Sequence, residues 1–296
     1  MLLPWPERGA VAIQPPGAGP GYWAGAPCAV ADDGEIFLAY RLRRPTDPEN
    51  GQSRGYAVVV ARSADGERFE TLLSIDKKQL ATESLERAAL VRTPEGRWRI
   101  YLSCATFGTK HWRVEMTEAA HPGEFDAGRR EVVLPGDAKT GVKDPVIRFR
   151  DDQWHLWASC HPLADPDQTD QMTTEYATSP DGLTWTWHGT ALSGTPGQWD
   201  ARGTRVTAVD FGEGGVTAYY DGRASAAENW EERTGVAVGT DPTALAPLGD
   251  GPAAFSPFHG GGLRYLDIVQ LPGGRHRLYY ELTGPDGSHA LLTELR

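Results

Sequence analysis

The chain has 296 residues, 40% of them hydrophobic and 23% charged, with a formal net charge of −11. That acidic balance argues against a nucleic-acid partner, because binding a phosphate backbone needs a concentrated basic surface. No apolar run reaches bilayer length and no basic-then-apolar leader opens "MLLPWPERGAV", so no membrane partner is expected and a cytoplasmic protein is.

In chain order, the apolar run "APCAVA" leads through a tight turn to "GEIFLAYRLRR" from Gly34, and then to "GYAVVVARSADG". The pattern returns as "RAALVR", "GRWRIYLSCAT" from Gly96 and "HWRVEMTEAA", then as "DPVIRF", "DQWHLWASCHP" from Asp152 and "TTEYATSPDG". It returns again as "TRVTAV", "GGVTAYYDGRA" from Gly214 and "RTGVAVGTD", and last as "LDIVQL", "GRHRLYYELTG" from Gly274 and "SHALLTEL". Successive starts lie 62, 56, 62 and 60 residues apart. Period-2 alternation and the aromatic and β-branched content favour strands throughout. The 35 glycines and 22 prolines supply the turns between them. Five four-stranded repeats predict an all-β fold, a five-bladed β-propeller of antiparallel blades forming one domain over residues 1–296. The last blade lacks an outer strand, and "AVAIQPP" near the N-terminus is expected to supply it and close the ring.

Within each blade the first-to-second and third-to-fourth turns are minimal ("ADDG", "RDDQ", "SADGERF", "SPDGLTW"). The second-to-third loops are long: "RLRRPTDPENGQSRG", "HPLADPDQTDQM" and "GRASAAENWEER". Function tends to sit on long loops carried by a rigid scaffold. The mouth on that face should gather Trp23, Arg41, Glu86, Arg87, Cys104, His111, Asp144, Cys160, His161, Glu175, Asp200, Arg202, Asp221, Arg223, Glu232, Arg233, Arg264 and Glu281. Carboxylates, arginines and aromatics around one funnel suit a small carbohydrate or glycoside. Trp98, Trp154, Trp157 and Trp185 fall inside predicted strands and read as inter-blade packing, whereas Trp23 and Trp230 fall in loops and read as sugar-stacking surfaces. Cys104 and Cys160 share a repeat position. With an odd count of 3 cysteines and no metal-type spacing, they read as small core residues, with no metal or cofactor expected. The oligomeric state is left open.

For Asp144, in "GVKDPVIRFRDDQWHLW", the bland reading is a strand-start carboxylate that holds backbone N–H groups near the axis. Five blades with this Asp-Pro at the start of an innermost strand resemble the five-bladed glycoside hydrolases of families 43, 62, 32 and 68. The resemblance implies a base at an Asp in the first blade, an orienting and pKa-tuning Asp two blades on, and an acid Glu one blade further. Asp144 matches the orienting position. Ala26, in an Ala-Pro, stands at the base position, and Asp200 or Arg202 stands at the acid position, depending on a two-residue alignment choice. The leading expectation is a glycosidase working by general acid/base catalysis, with Asp144 as orienter and Asp200 or Glu86 as proton donor. Trp23, Arg202, His161, Asp221, Arg223, Trp230 and Arg264 are the expected substrate contacts. Relatives that use one acid and an external phosphate offer another route, which the arginines would suit. The alternatives are a non-catalytic carbohydrate-binding propeller and a protein-interaction platform.

Overall fold

The computed structural model describes residues 1–47, 54–212 and 214–296. Residues 48–53 of the first long loop lie outside the described residues. Strand β1 spans Ala10–Ile13. The first unit holds β2 (Trp23–Asp32), β3 (Glu35–Arg43), β4 (Gly55–Ser63) and β5 (Glu70–Asp76). The second holds β6 (Leu85–Arg92), β7 (Trp98–Ala105), β8 (Trp112–Ala119) and β9 (Glu131–Leu134). The third holds β10 (Thr140–Arg150), β11 (Gln153–Pro162), β12 (Thr173–Ser179) and β13 (Thr186–Leu192). The fourth holds β14 (Gly203–Gly212), β15 (Gly215–Arg223), β16 (Arg233–Asp241) and β17 (Ala244–Pro247). The fifth holds β18 (Leu263–Gln270), β19 (His276–Thr283) and β20 (His289–Leu295).

Within each unit neighbouring strands pair antiparallel in chain order. Strand β1 pairs antiparallel with β20, Ala10 facing Thr293, and so makes the fifth unit four-stranded. A single parallel bridge, Trp23 to His289, also joins β20 to β2. The described residues contain only short 3-10 turns besides strands, and no helix is long and apolar enough to cross a membrane.

The turns follow the residues that build them. Asp33 and Gly34 have φ of 48° and 80°, and Asp151 and Asp152 have 50° and 58°, the paired left-handed values that a two-residue hairpin needs. In the two Ser-x-Asp-Gly turns, Ser63 Oγ accepts from the Gly66 N–H at 2.8 Å and Ser179 Oγ from the Gly182 N–H at 2.9 Å. Each turn is gripped from the preceding unit around the ring of contacts. Tyr279 Oη donates to Gly66 O at 2.9 Å, and Tyr101 Oη donates to Gly182 O at 3.0 Å.

The core lies between units. One cluster packs Phe37, Val58, Leu90, Trp98, Leu102, Ile147 and Trp154 across the first three units. Others join the third to the fourth through Trp157 and Val206, the fourth to the fifth through Tyr219 and Leu266, and the fifth to the first through Tyr279 and Leu38. The first strands touch in a cycle: β2 meets β6, β6 meets β10, β10 meets β14, β14 meets β18, and β18 meets β2. Cys104 and Cys160 are buried as free thiols. Trp98, Trp154 and Trp157 are buried. Trp185 packs against that core too, but from just before β13 and only half-buried, with one side on a surface cleft.

Candidate active site

Each first strand carries one extra residue relative to its partner, at Ala26–Pro27, Glu86–Arg87, Asp144–Pro145, Thr207 and Tyr265–Leu266. Such bulges re-aim side chains. Ala26, Asp144 and Tyr265 hold φ of 53°, 53° and 54° there, values a non-glycine residue keeps only when its surroundings impose them. The structure therefore makes Glu86 and Tyr265, with Ala26, the counterparts of Asp144.

Asp144 is fully buried. Its Oδ1 accepts from the Arg87 backbone N–H at 3.1 Å, which is the structural role of the bland reading. Its Oδ2 lies 3.4 Å from Arg205 Nη1, 3.6 Å from Lys143 Nζ and 3.5 Å from Tyr265 Oη. Tyr265 Oη is also 3.5 Å from Glu86 Oε2. One hydroxyl thus stands between two carboxylates from different units.

Above this cluster lies a cavity of about 170 Å³. Of the ten predicted site residues, Trp23, Glu86, His161, Arg223, Trp230 and Arg264 line it. Asp144 and Asp221 lie behind its wall. Asp221 is fully buried and holds Arg205, a lining residue, at 2.6 Å. Two predictions need correction. Asp200 precedes β14 and is spent on Tyr220 Oη at 2.9 Å and the Thr195 N–H at 3.1 Å, so it is no proton donor to the cavity. Arg202 turns to Asp170 at 2.6 Å and braces it instead of touching the cavity. Sequence reading also missed Lys143, Arg205, Tyr265, Lys110, Trp112 and Asp170, all of which line the cavity. Tyr265 could have been found by matching "RYLDIV" to "KDPVIR" on the bulge, and Lys143 by its place beside Asp144.

Trp23 lines the cavity without offering a stacking face, which corrects its predicted role. His289 stacks on it at 4.4 Å between centroids, and the Arg43 guanidinium lies 3.6 Å from its ring centre. Trp230 keeps 45% of its surface exposed, with the Arg43 guanidinium 4.7 Å from its ring centre.

The lining is strongly cationic. Arg41, Arg54, Lys110, Lys143, Arg205, Arg223 and Arg264 face Glu86, Asp170 and Glu232. Each of those carboxylates is held by arginine. Glu86 pairs with Arg41, and Glu232 with Arg223 at 2.6 Å and Arg264 at 2.7 Å. Behind them Glu281 joins Arg264 at 2.7 Å to Arg41 at 3.1 Å. Burial alone would raise Glu86, but Arg41, Lys143, Arg43 and Arg264 outweigh it and hold the carboxyl at about 2. Glu86 is therefore ionised at neutral pH, which corrects its predicted role as proton donor. Burial likewise pushes Glu232 up, and Arg264, Arg205 and Arg223 bring it below the usual carboxylate range. Burial, with Lys143 next, lowers His161 to about 3, so the ring is neutral. Its Nδ1–H donates to Thr169 O at 2.8 Å, which leaves Nε2 as a bare acceptor. No group of three or more His, Cys, Asp or Glu residues is placed to hold a metal ion among the described residues.

The sequence matches no family profile and no curated protein. Solved structures do match over nearly the whole chain. A glycosyl hydrolase from Bacteroides ovatus superposes with a TM-score of 0.67 at 16% identity, covering 98% of this chain and 89% of that one. This chain has the propeller glycoside hydrolase fold. A β-1,2-mannobiose phosphorylase from Listeria innocua shares it with a TM-score of 0.65 at 16% identity, covering 99% and 92% of the two chains. An arabinanase from Bacillus subtilis shares it with a TM-score of 0.65 at 11% identity, covering 94% and 95%. Members of this fold group thus include both hydrolases and a phosphorylase.

Proposed function

We propose that the chain is a single cytoplasmic five-bladed propeller, closed by β1 against β20, that cleaves a glycoside at its mouth with inorganic phosphate as the attacking group. The observation that carries this reading is the cavity lining, seven cationic side chains against three carboxylates in a chain of net charge −11. Arginine forks suit phosphate, and an enclosed cationic wall concentrates it. The cyclic strand contacts and the β1–β20 pairing support the propeller.

Phosphorolysis also accounts for Ala26. An inverting hydrolase needs a carboxylate base to activate water, whereas phosphate brings its own nucleophilic oxygen. In the proposed step a phosphate oxygen bonds to the anomeric carbon, and the bond from that carbon to the leaving oxygen breaks. The proton of hydrogen phosphate is balanced by the one that the leaving oxygen gains. Tyr265 Oη, supported by Asp144, is the assigned carrier of that proton. Burial raises Tyr265 well above its usual value of 10.0, so it stays a hydroxyl donor. Arg205, Arg223, Arg264 and neutral His161 orient the phosphate and sugar, and Trp230 covers a ring.

The pairing of every lining carboxylate with arginine favours a second reading, a propeller that binds a carbohydrate without cleaving it. The two separate in an assay of aryl glycosides and sugar 1-phosphates with and without inorganic phosphate. The expected outcome is cleavage that requires phosphate, with phosphate affinity falling at least tenfold in Arg223→Lys. Equal cleavage without phosphate returns the protein to hydrolysis, and sugar binding without any cleavage establishes the second reading.

A further inference from the structure

A second cleft, of about 680 Å³, runs between the outer edge of the second unit and the face of the third. It falls within the size range of small-molecule sites. Trp185, just before β13, and Trp187, its second residue, both line it. Trp187 keeps 43% of its surface exposed, so part of its ring is open to the cleft. Polar groups of both kinds surround the two rings. Asp137 and Glu175 offer acceptors, and Lys139 and Gln171 offer donors. Glu175 is fixed by Thr190 Oγ1 at 2.7 Å and Thr173 Oγ1 at 3.0 Å, and no cation pairs with it among the described residues.

Two buried polar atoms on the cleft's lining residues lack partners. They are Nε1 of Trp185 and Nε2 of His161, the latter side chain more than nine-tenths buried. His161 lines both this cleft and the cationic cavity, so the two spaces adjoin at that residue. The chemistry of the two differs. The cavity suits an anion, whereas flat aromatic rings with mixed hydroxyl-scale donors and acceptors suit an uncharged sugar.

We propose that this cleft is an accessory subsite for neutral sugar units, so that the substrate is an oligosaccharide whose reacting end enters the cavity and whose remaining units lie across Trp185 and Trp187. The assignment rests on the carbohydrate function proposed above. His161 is the link, its free Nε2 accepting a hydroxyl where the chain passes from one space to the other.

The test is calorimetric titration of the full chain with neutral gluco-, manno-, xylo- and arabino-oligosaccharides of one to six units, alongside inorganic phosphate. In the wild type, affinity for one series should rise at least tenfold from the shortest to the longest chain. Trp187→Ala should flatten that rise, and Trp187→Tyr should restore part of it. Trp187 is 43% exposed, so folding of each variant is checked by its thermal midpoint. Affinity independent of chain length, or a rise that survives in Trp187→Ala, overturns the subsite and leaves the cavity reading standing if phosphate still binds. Failure of every sugar and of phosphate to bind overturns both.

Discussion

Glu86 shows how one residue's surroundings decide its chemistry. The same carboxylate, read from sequence as a proton donor, sits on a bulge that turns it into the grip of Arg41 and within reach of Lys143. Its folded value of about 2 lies below the ordinary 4.5, so its ionised form stabilises the fold. That contribution is complete above pH 4.5 and is lost as the pH falls toward 2. Glu86→Gln should therefore cost about 3 kcal/mol at neutral pH, the linkage equivalent of that depression, which agrees with the cost of orphaning one partner of a buried ion pair. Urea denaturation of both proteins at pH 7, 4 and 3 reads the difference. It should narrow as the pH drops below 4.5, and a constant gap down to pH 3 would show that the carboxylate is not held ionised. Asp221 behaves in the opposite sense. Burial raises it to about 6 against the pull of Arg205, so any stability it lends is present below its unfolded value and is lost as the pH rises through 6.

At the scale of elements, the repeated device is a tyrosine on the second strand of one unit that closes the Ser-x-Asp-Gly turn of another. Tyr279 on β19 reaches Gly66, and Tyr101 on β7 reaches Gly182. Both glycines hold left-handed φ, 74° and 75°, so their carbonyls are aimed by the turn and not by a ladder. Tyr279→Phe removes the donor and leaves a buried acceptor, at a cost of about 1 kcal/mol. Tyr101→Phe should cost about the same, and the double variant should show the sum, because the two sites lie on different units and share no partner. Guanidinium denaturation of the three variants checks this. A large shortfall from additivity would mean that the turns communicate through the sheets between them. These turns were legible in "SADGERF" and "SPDGLTW" because Ser, Asp and Gly act within four residues. The bulges were not, because a one-residue insertion is defined only by the strand opposite.

At the scale of the whole molecule, the same division separates what could be read from what could not. Strand order and repeat length follow from alternation and turn chemistry, which are local. The site follows from meetings at long range. Arg205 reaches Asp144 across 61 residues and Tyr265 reaches it across 121, and no local pattern announces either. The N-terminus is tied by contacts of the same long-range kind. Beside the β1–β20 ladder, the Leu2 N–H donates to Tyr219 Oη at 2.9 Å, and the Trp5 N–H donates to Glu294 Oε1 at 2.8 Å. Leu2 and Leu3 pack on the cluster between the fourth and fifth units. Deleting residues 1–13 would strip all of these at once and bare the edge of β20, a strand whose Leu291 and Leu292 are buried. An unpaired apolar edge both destabilises and recruits other chains. The truncated protein should lose several kcal/mol, lowering its thermal midpoint by roughly 10 °C, and should scatter light on heating at concentrations where the full chain stays clear. An unchanged midpoint would mean that β20 holds without its partner, and that β1 rests on the fifth unit without contributing to its stability.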